Sequence, residues 1–307
     1  MPGRDNGLSS VDSNPTFARC YSQHEGLLLP QPFVFIRPRV ARTLNIVAHQ
    51  DNDILFQNPD ILNDIAAGPA CRDSQYWTSR QAGAMQAYAA MAGMPNVWDE
   101  SDIGVEGKDI PVYSLRDRDI SLTFMHMPDG SIDGDGFAST GHESLEKLWK
   151  GKIDSIRTVD ESGTSYTRSD LIETLAQIIN DFHPDCINSQ DYVHPYGSGD
   201  HSDHTSAGLF ANEGAKESKF QGNVMAYRGY PTKDEPANVA GSDLDRKKAA
   251  FYTYGNYDPV ACSSDQSCAG TDYEKWLLRQ YIANNDTSVL GKSILGLSLL
   301  YRITDIQ

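Results

Sequence analysis

The chain has 307 residues, 39% of them hydrophobic, which is enough apolar surface for a full core. Its 26 Lys and Arg against 42 Asp and Glu give a formal charge of −16. That balance argues against a nucleic-acid partner, whose binders carry a basic footprint, and against bulk attraction to anionic lipid.

Residues 1–40 read as an irregular lead-in with scattered Pro and Gly, in which Leu27-Leu28-Leu29 is a short apolar anchor cut off by Pro30. Met1 to Asn14 is polar and lacks the apolar segment of a signal peptide, so a cytoplasmic location is the default expectation. Residues 41–307 read as a single domain with a C-terminal extension. No uninterrupted apolar stretch of about 18 residues is present, and no membrane-spanning helix is expected.

Thr43 to Ala48 is an apolar, β-branched run that predicts a buried strand, and it ends in the polar cluster His49-Gln50-Asp51-Asn52-Asp53. In open α/β sheets, sites form beyond the carboxyl ends of strands. Ser79 to Met91 predicts a helix stopped by Gly93 and Pro95. Ser121 to Met127 predicts a strand, followed by a Gly/Asp-rich loop through Phe137. Within it, Ile132 to Gly136 lacks the full ligand spacing of an EF-hand loop and reads as a flexible loop near the site.

Thr167 to Asp170 has capping-box spacing and opens a helix whose apolar face is Leu171, Ile172, Leu175, Ile178, Ile179 and Phe182. Asp185 to Ser189 predicts the next strand, leading to a loop with His201 and His204. Helices are expected over Thr205 to Ala215, Asp243 to Tyr252 and Tyr273 to Ala283, with a strand over Asn223 to Tyr227. Alternating strands and helices favour an α/β fold: a three-layer sandwich with a mostly parallel, Rossmann-like sheet.

Five cysteines, Cys20, Cys71, Cys186, Cys262 and Cys268, cannot all pair within one chain. Cys262 and Cys268 flank a polar loop and would close a small disulfide in an oxidising compartment. With the Asn285-Asp286-Thr287 sequon, they keep secretion open as the second location. His183 and His194 read as structural; Trp77, Trp98, Trp149 and Trp276 read as core or groove residues.

Two polar clusters carry chemistry. In the first, His49 and its neighbouring carboxylates supply a metal ligand and a general base at a strand end; the bland alternative is a solvated loop. In the second, His201-Ser202-Asp203-His204, the histidines share a face of a helical turn, and Asp203 between them orients an imidazole; the bland alternative is a helix cap, which Asp200 also fits. A catalytic zinc typically takes three protein ligands and keeps one position open, a count the two clusters can meet together.

The pair resembles the PIG-L/LmbE-like zinc-dependent de-N-acetylase family, whose signatures read Ala-His-Pro-Asp-Asp-Glu and His-x-Asp-His. Tyr76 to Gly83 resembles that family's arginine-bearing helix start, and Tyr257-Asp258-Pro259 with Cys262 and Cys268 resembles the tail of its fungal and actinomycete members. The resemblance implies zinc or another divalent metal held by His49, Asn52 and His204. It implies Asp51 as the base that activates water and His201 as the donor to the oxyanion. It implies Arg80 and Asp203 as substrate contacts. The implied reaction releases acetate from a small N-acetylated sugar or glycoconjugate.

Three departures stand out. Gln50 replaces a Pro, which alters loop stiffness and no ligand. Asn52 replaces a ligand Asp, and its neutral amide oxygen weakens the site; Asp53, one residue along, is the substitute carboxylate. Between the first cluster and Arg80, the stretch Ile65 to Asp73 leaves no room for a second apolar strand, so the sheet is expected to lack one member. These departures keep a second reading open, a catalytically impaired protein that retains the fold and a ligand-binding groove.

Overall fold

The structure is a computed structural model, described here over residues 42–63, 65–67 and 74–283. The lead-in, Cys20, Cys71 and the Asn285 sequon lie outside the described residues. Among the described residues no helix is long and apolar enough to cross a membrane.

In chain order the elements begin with β1 (Thr43–Ile46), β2 (Ile65–Ala67) and α1 (Ser74–Met91). Next come β3 (Trp98–Asp102), β4 (Pro111–Leu115), β5 (Ser121–Thr123) and α2 (Leu145–Trp149). They continue with β6 (Ile156–Arg157), β7 (Ser165–Tyr166), α3 (Arg168–Phe182), β8 (Cys186–Gln190) and α4 (Ser202–Glu217). The last are β9 (Asn223–Tyr227), α5 (Gly241–Gly255), α6 (Asp265–Cys268) and α7 (Asp272–Leu277).

The fold is α/β. A four-stranded sheet in the order β2-β1-β8-β9 is parallel throughout, while β3-β4-β5 and β6-β7 form two small antiparallel sheets. The expected lack of a strand after the first cluster is corrected here. β2 pairs in parallel with β1, Leu44 opposite Ile65 and Ile46 opposite Ala67. Three residues are enough because an edge strand needs ladder partners on one side only. The link from β1 is made by a π-helical turn over Asp53–Gln57 and a 3-10 turn over Asp60–Asn63, in place of a long crossover helix.

One side of the sheet packs on α3 and α4, where Leu44 and Ile187 meet Ile179 and Ala215. Helices α1 and α5 cross near Gly83, where an added Cβ would lie 3.0 Å from the Tyr254 ring and carbonyl. Both rest on Ile54, Leu55 and Phe56 of the π-helical turn. This second core clamps the loop carrying the first cluster.

The predicted cap of α3 is present as a full capping box, Thr167 with Asp170. Three predicted spans are shorter in the structure, the first being the strand from Thr43, which stops at Ile46 and not at Ala48. The strand from Ser121 stops at Thr123, and His126 takes a φ of +49°, which breaks an extended run. The helix from Tyr273 stops at Leu277, because the Lys247 ammonium takes the Trp276 and Arg279 carbonyls and Ile282 bridges to Tyr227 of β9. A disulfide joins Cys262 to Cys268 around α6.

Candidate metal centre and its carboxylates

β1 ends at Ile46, with Val47 and Ala48 between it and the first cluster, and α4 begins inside the second. His201 is the N-cap of α4: its Nδ1 accepts from the Asp203 amide at 3.1 Å, satisfying one of the helix's free N–H groups. The motif His201 to His204 is therefore the first turn of α4, three residues earlier than the helix predicted from Thr205. The loop after β5 docks on this turn. The Gly130 amide donates to Asp203 Oδ2 at 2.8 Å, and the Ser202 hydroxyl donates to the Ser131 carbonyl at 2.6 Å. Gly130 has no substitute there, since a Cβ would sit 2.5 Å from Asp203 Oδ1. That docking brings in Asp129, a residue that sequence reasoning passed over although it follows a predicted strand.

His49, Asp129, His201 and Asp203 converge: one potential ligand atom from each lies within 4.8 Å of the others. This is a His/Asp group able to hold a metal ion. His49 Nε2 stands 3.7 Å from Asp203 Oδ2, and His201 Nε2 stands 3.7 Å from Asp129 Oδ1. His49 Nε2 and Asp203 Oδ1 are buried without a hydrogen-bond partner. Unsatisfied buried polar atoms are costly, and a cation between them would satisfy both.

The hydrogen bonds constrain which ring nitrogens carry lone pairs. Asp200 accepts at Oδ1 from the His201 and Tyr230 amides, and at Oδ2 from the Gly229 amide. Burial pushes the Asp200 carboxyl up, but His204 and these amides outweigh it and leave it below the ordinary range. The ionised Asp200 takes a hydrogen from His204 Nδ1 at 2.7 Å. His204 Nε2 lies 3.2 Å from His49 Nδ1; in the arrangement where His204 Nε2 accepts, the lone pair of His49 stands on Nε2, facing the carboxylates. His201 is arranged oppositely: its Nδ1 lone pair faces the Asp203 amide, so Nε2–H points to Asp129.

Burial, followed by the neighbouring imidazole, holds both His49 and His201 down at about 4, so both rings are neutral near pH 7. Asp203 is pushed up to about 6 by burial, with the Asp129 charge adding to it.

Two members of the implied ligand set are engaged elsewhere in this structure. Asn52 Oδ1 accepts from the His49 amide at 2.8 Å and from Gln190 Nε2 at 2.9 Å. Gln190 is itself oriented by the Ala48 amide, which donates to its Oε1. Backbone donors thus settle both amide orientations, and the remaining atom of Asn52 is its Nδ2, a donor that faces Asp51 at 3.4 Å. His204 lies outside the converging group and supports His49 from behind. Asp53 is engaged as well: its oxygens take the Tyr88 hydroxyl at 2.6 Å and the Ile54 amide at 2.7 Å, and burial raises it to about 7.

Arg80, expected to touch substrate, is buried on α1 and holds other residues. Its Nη2 pairs with Asp51 Oδ1 at 2.7 Å, and its Nε lies 2.6 Å from the Tyr254 hydroxyl and 3.0 Å from Asp258 Oδ2. Asp51 Oδ2 has no hydrogen-bond partner among the described residues. Asp258 and Tyr254 were not foreseen as parts of this arrangement, although Asp258 belongs to the Tyr-Asp-Pro stretch. A cavity of about 300 Å³ lined by Leu44, Leu171, Leu175 and Phe210 is apolar, and none of the cluster's residues lines it.

No protein-family model and no curated protein matches the chain. Among solved structures, it is similar to GalB, the 4-carboxy-2-hydroxymuconate hydratase of Pseudomonas putida KT2440. The identity is 13%, the match covers 77% of this chain and 82% of that one, and the TM-score is 0.38.

Proposed function

We propose that the chain is a metal-dependent hydrolase that removes the acetyl group from an N-acetylated sugar or a related small amide. One observation carries the reading: a lone-pair nitrogen of His49 and the carboxylates of Asp129 and Asp203 converge, two of their atoms buried and unpartnered. Those residues are the ligands in this reading. One imidazole and two carboxylates meet the three-ligand count of a catalytic zinc site, and the oxygen-rich set also suits manganese. A cation bound there supplies Lewis acidity, lowering the pKa of water toward roughly 7.

Asp51 is the general base. Arg80 holds it through Oδ1, which leaves Oδ2 to take the proton of the attacking water. His201 Nε2–H donates to the carbonyl oxygen as negative charge develops there. The C–N bond then breaks, and the proton held by Asp51 passes to the leaving nitrogen. Water is added across the amide, giving acetate and a free amine. Asp200, through His204, keeps the His49 lone pair directed at the ligand position.

The test is elemental analysis of purified protein together with acetate release from N-acetylglucosamine and its β-1,4-linked dimer. Stoichiometric metal, with acetate release lost in Asp51→Asn, supports the reading; metal-free protein that releases no acetate counts against it. The second reading, an impaired protein of the same fold, is favoured by Asn52, whose oxygen is committed to the His49 amide and Gln190. Bound metal without turnover would select it.

A further inference from the structure

The apolar cleft of about 300 Å³ is separate from the candidate metal centre and has its own chemistry. Leu171, Leu175, Ile178 and Phe182 line it, a single face of α3 taken at helical spacing. At 1.5 Å per residue that face is about 16 Å long, so the cleft is elongated. Leu44 and Ile46 of β1, with Val112 of β4 and Thr123 of β5, complete the walls. The inner end, beside Leu171, is closed by Met127, Leu145 and Phe210, all buried. Packed interiors hold few voids larger than a water molecule, and apolar cavities of about 150 Å³ take up small apolar molecules. This cleft is larger than that and reaches the size of small-ligand sites, which start at roughly 300 Å³.

The other end carries charge. Arg42 and Phe182 are half-buried there, and Asp119 and Asp181 are exposed, so the cleft opens to solvent at this end. The Arg42 backbone is fixed where β1 begins: its amide donates to Asp185 Oδ2 at 2.8 Å, and its carbonyl accepts from the Asp185 amide at 2.7 Å. Its guanidinium lies over the Phe182 ring, 4.3 Å from the centroid. Arg42 Nε is buried with no hydrogen-bond partner, and the guanidinium is in no ion pair among the described residues. Asp119 and Asp181 stand in solvent, which screens their charge. A buried donor on an unpaired cation is costly, and an anionic acceptor beside it removes that cost.

We propose that this cleft binds a medium-chain alkyl carboxylate, with the chain along α3 and the carboxylate paired with Arg42. The apolar walls exclude a polar chain. The guanidinium fork can hold both carboxylate oxygens. A neutral alcohol leaves the cation unpaired, and an ammonium is repelled by it. The inference stands on the cleft and is independent of the hydrolase reading.

Calorimetry of the full chain with decanoate, decan-1-ol and decylamine, each kept below the concentration at which it forms micelles, is the test. Wild type should bind decanoate at least about tenfold more tightly than the alcohol or the amine. Affinity should rise by up to about fourfold per added methylene from hexanoate to decanoate. Val112→Trp fills the cleft from β4 and should weaken decanoate at least about tenfold. Arg42→Gln should bring decanoate down to the level of decan-1-ol and leave the alcohol within about threefold of its wild-type affinity. Circular dichroism checks that both variants fold; should Val112→Trp fail to, Arg42→Gln and the chain-length series decide. Absence of decanoate binding to wild type would overturn the site. So would an alcohol or amine that binds as tightly as decanoate, or unchanged decanoate affinity in either folded variant.

Discussion

Arg80 and Asp51 form a buried ion pair, Nη2 to Oδ1 at 2.7 Å, between α1 and the loop that follows β1. Asp258, from the segment after α5, shares the same guanidinium at 3.0 Å. One cation thus neutralises two carboxylates from separate parts of the chain, and the α1–α5 crossing is what brings them together.

The two partners of that pair should respond unequally to removal. Arg80→Gln leaves both Asp51 and Asp258 buried without a cation and should cost about 3–5 kcal/mol of stability. Asp51→Asn leaves Arg80 paired with Asp258 and should cost clearly less while removing acetate release. Urea denaturation of both variants measures the difference; equal losses would mean that Asp258 contributes nothing to holding Arg80.

Metal affinity should follow the converging carboxylates. Asp129→Asn and Asp203→Asn should each lower it at least about a hundredfold, as expected for lost ligands. Gly229→Ala should lower it by about 10–100-fold through an orienting partner. Its added Cβ would lie 2.5 Å from Asp200 Oδ1 and 2.6 Å from His204 Nδ1, pushing apart the pair that orients His49. Competition with a chromophoric chelator reads all three; unchanged affinity in Asp129→Asn would remove it from the ligand set.

Asn52→Asp tests the implied second ligand directly. The new carboxylate keeps an oxygen for the His49 amide and Gln190, and places the other where Nδ2 now stands, 3.4 Å from Asp51 Oδ1. Like charges at that distance should lower stability by about 1 kcal/mol or more, with metal affinity changed less than about threefold. A large gain in affinity would return the ligand role to this position.

Lys247 gives the protein a pH dependence unrelated to the site. Its side chain is fully buried, and burial lowers the ammonium to about 7. The unfolded chain keeps this proton up to roughly pH 10.4, so between about 7 and 10.4 the unfolded state binds the additional proton. Stability should therefore rise with pH across that window, by up to about 1.4 kcal/mol per unit from this group, and be flat in it below about 7. Denaturation at pH 7 and pH 9 should show wild type gaining relative to Lys247→Met. The same difference at both pH values would rule the titration out.

What the sequence determined by itself is local. The apolar run before His49, the capping box of α3, the strand Asn223–Tyr227 and the two polar clusters are set by side-chain period and turn chemistry within a few residues, and each is where the pattern put it. The class of the fold follows from their alternation. The tertiary structure decided the direction of each polar atom and the members of the site. Asn52 was readable as a neutral residue, but its oxygen is turned by Gln190, 138 residues away in sequence. Arg80 was visible as a cation near the site, but Asp258 makes it a buried hub. Asp129 reached the cluster only because its loop docks on the first turn of α4. Hydrogen-bond partners from distant segments choose such orientations, and no periodicity along the chain records them.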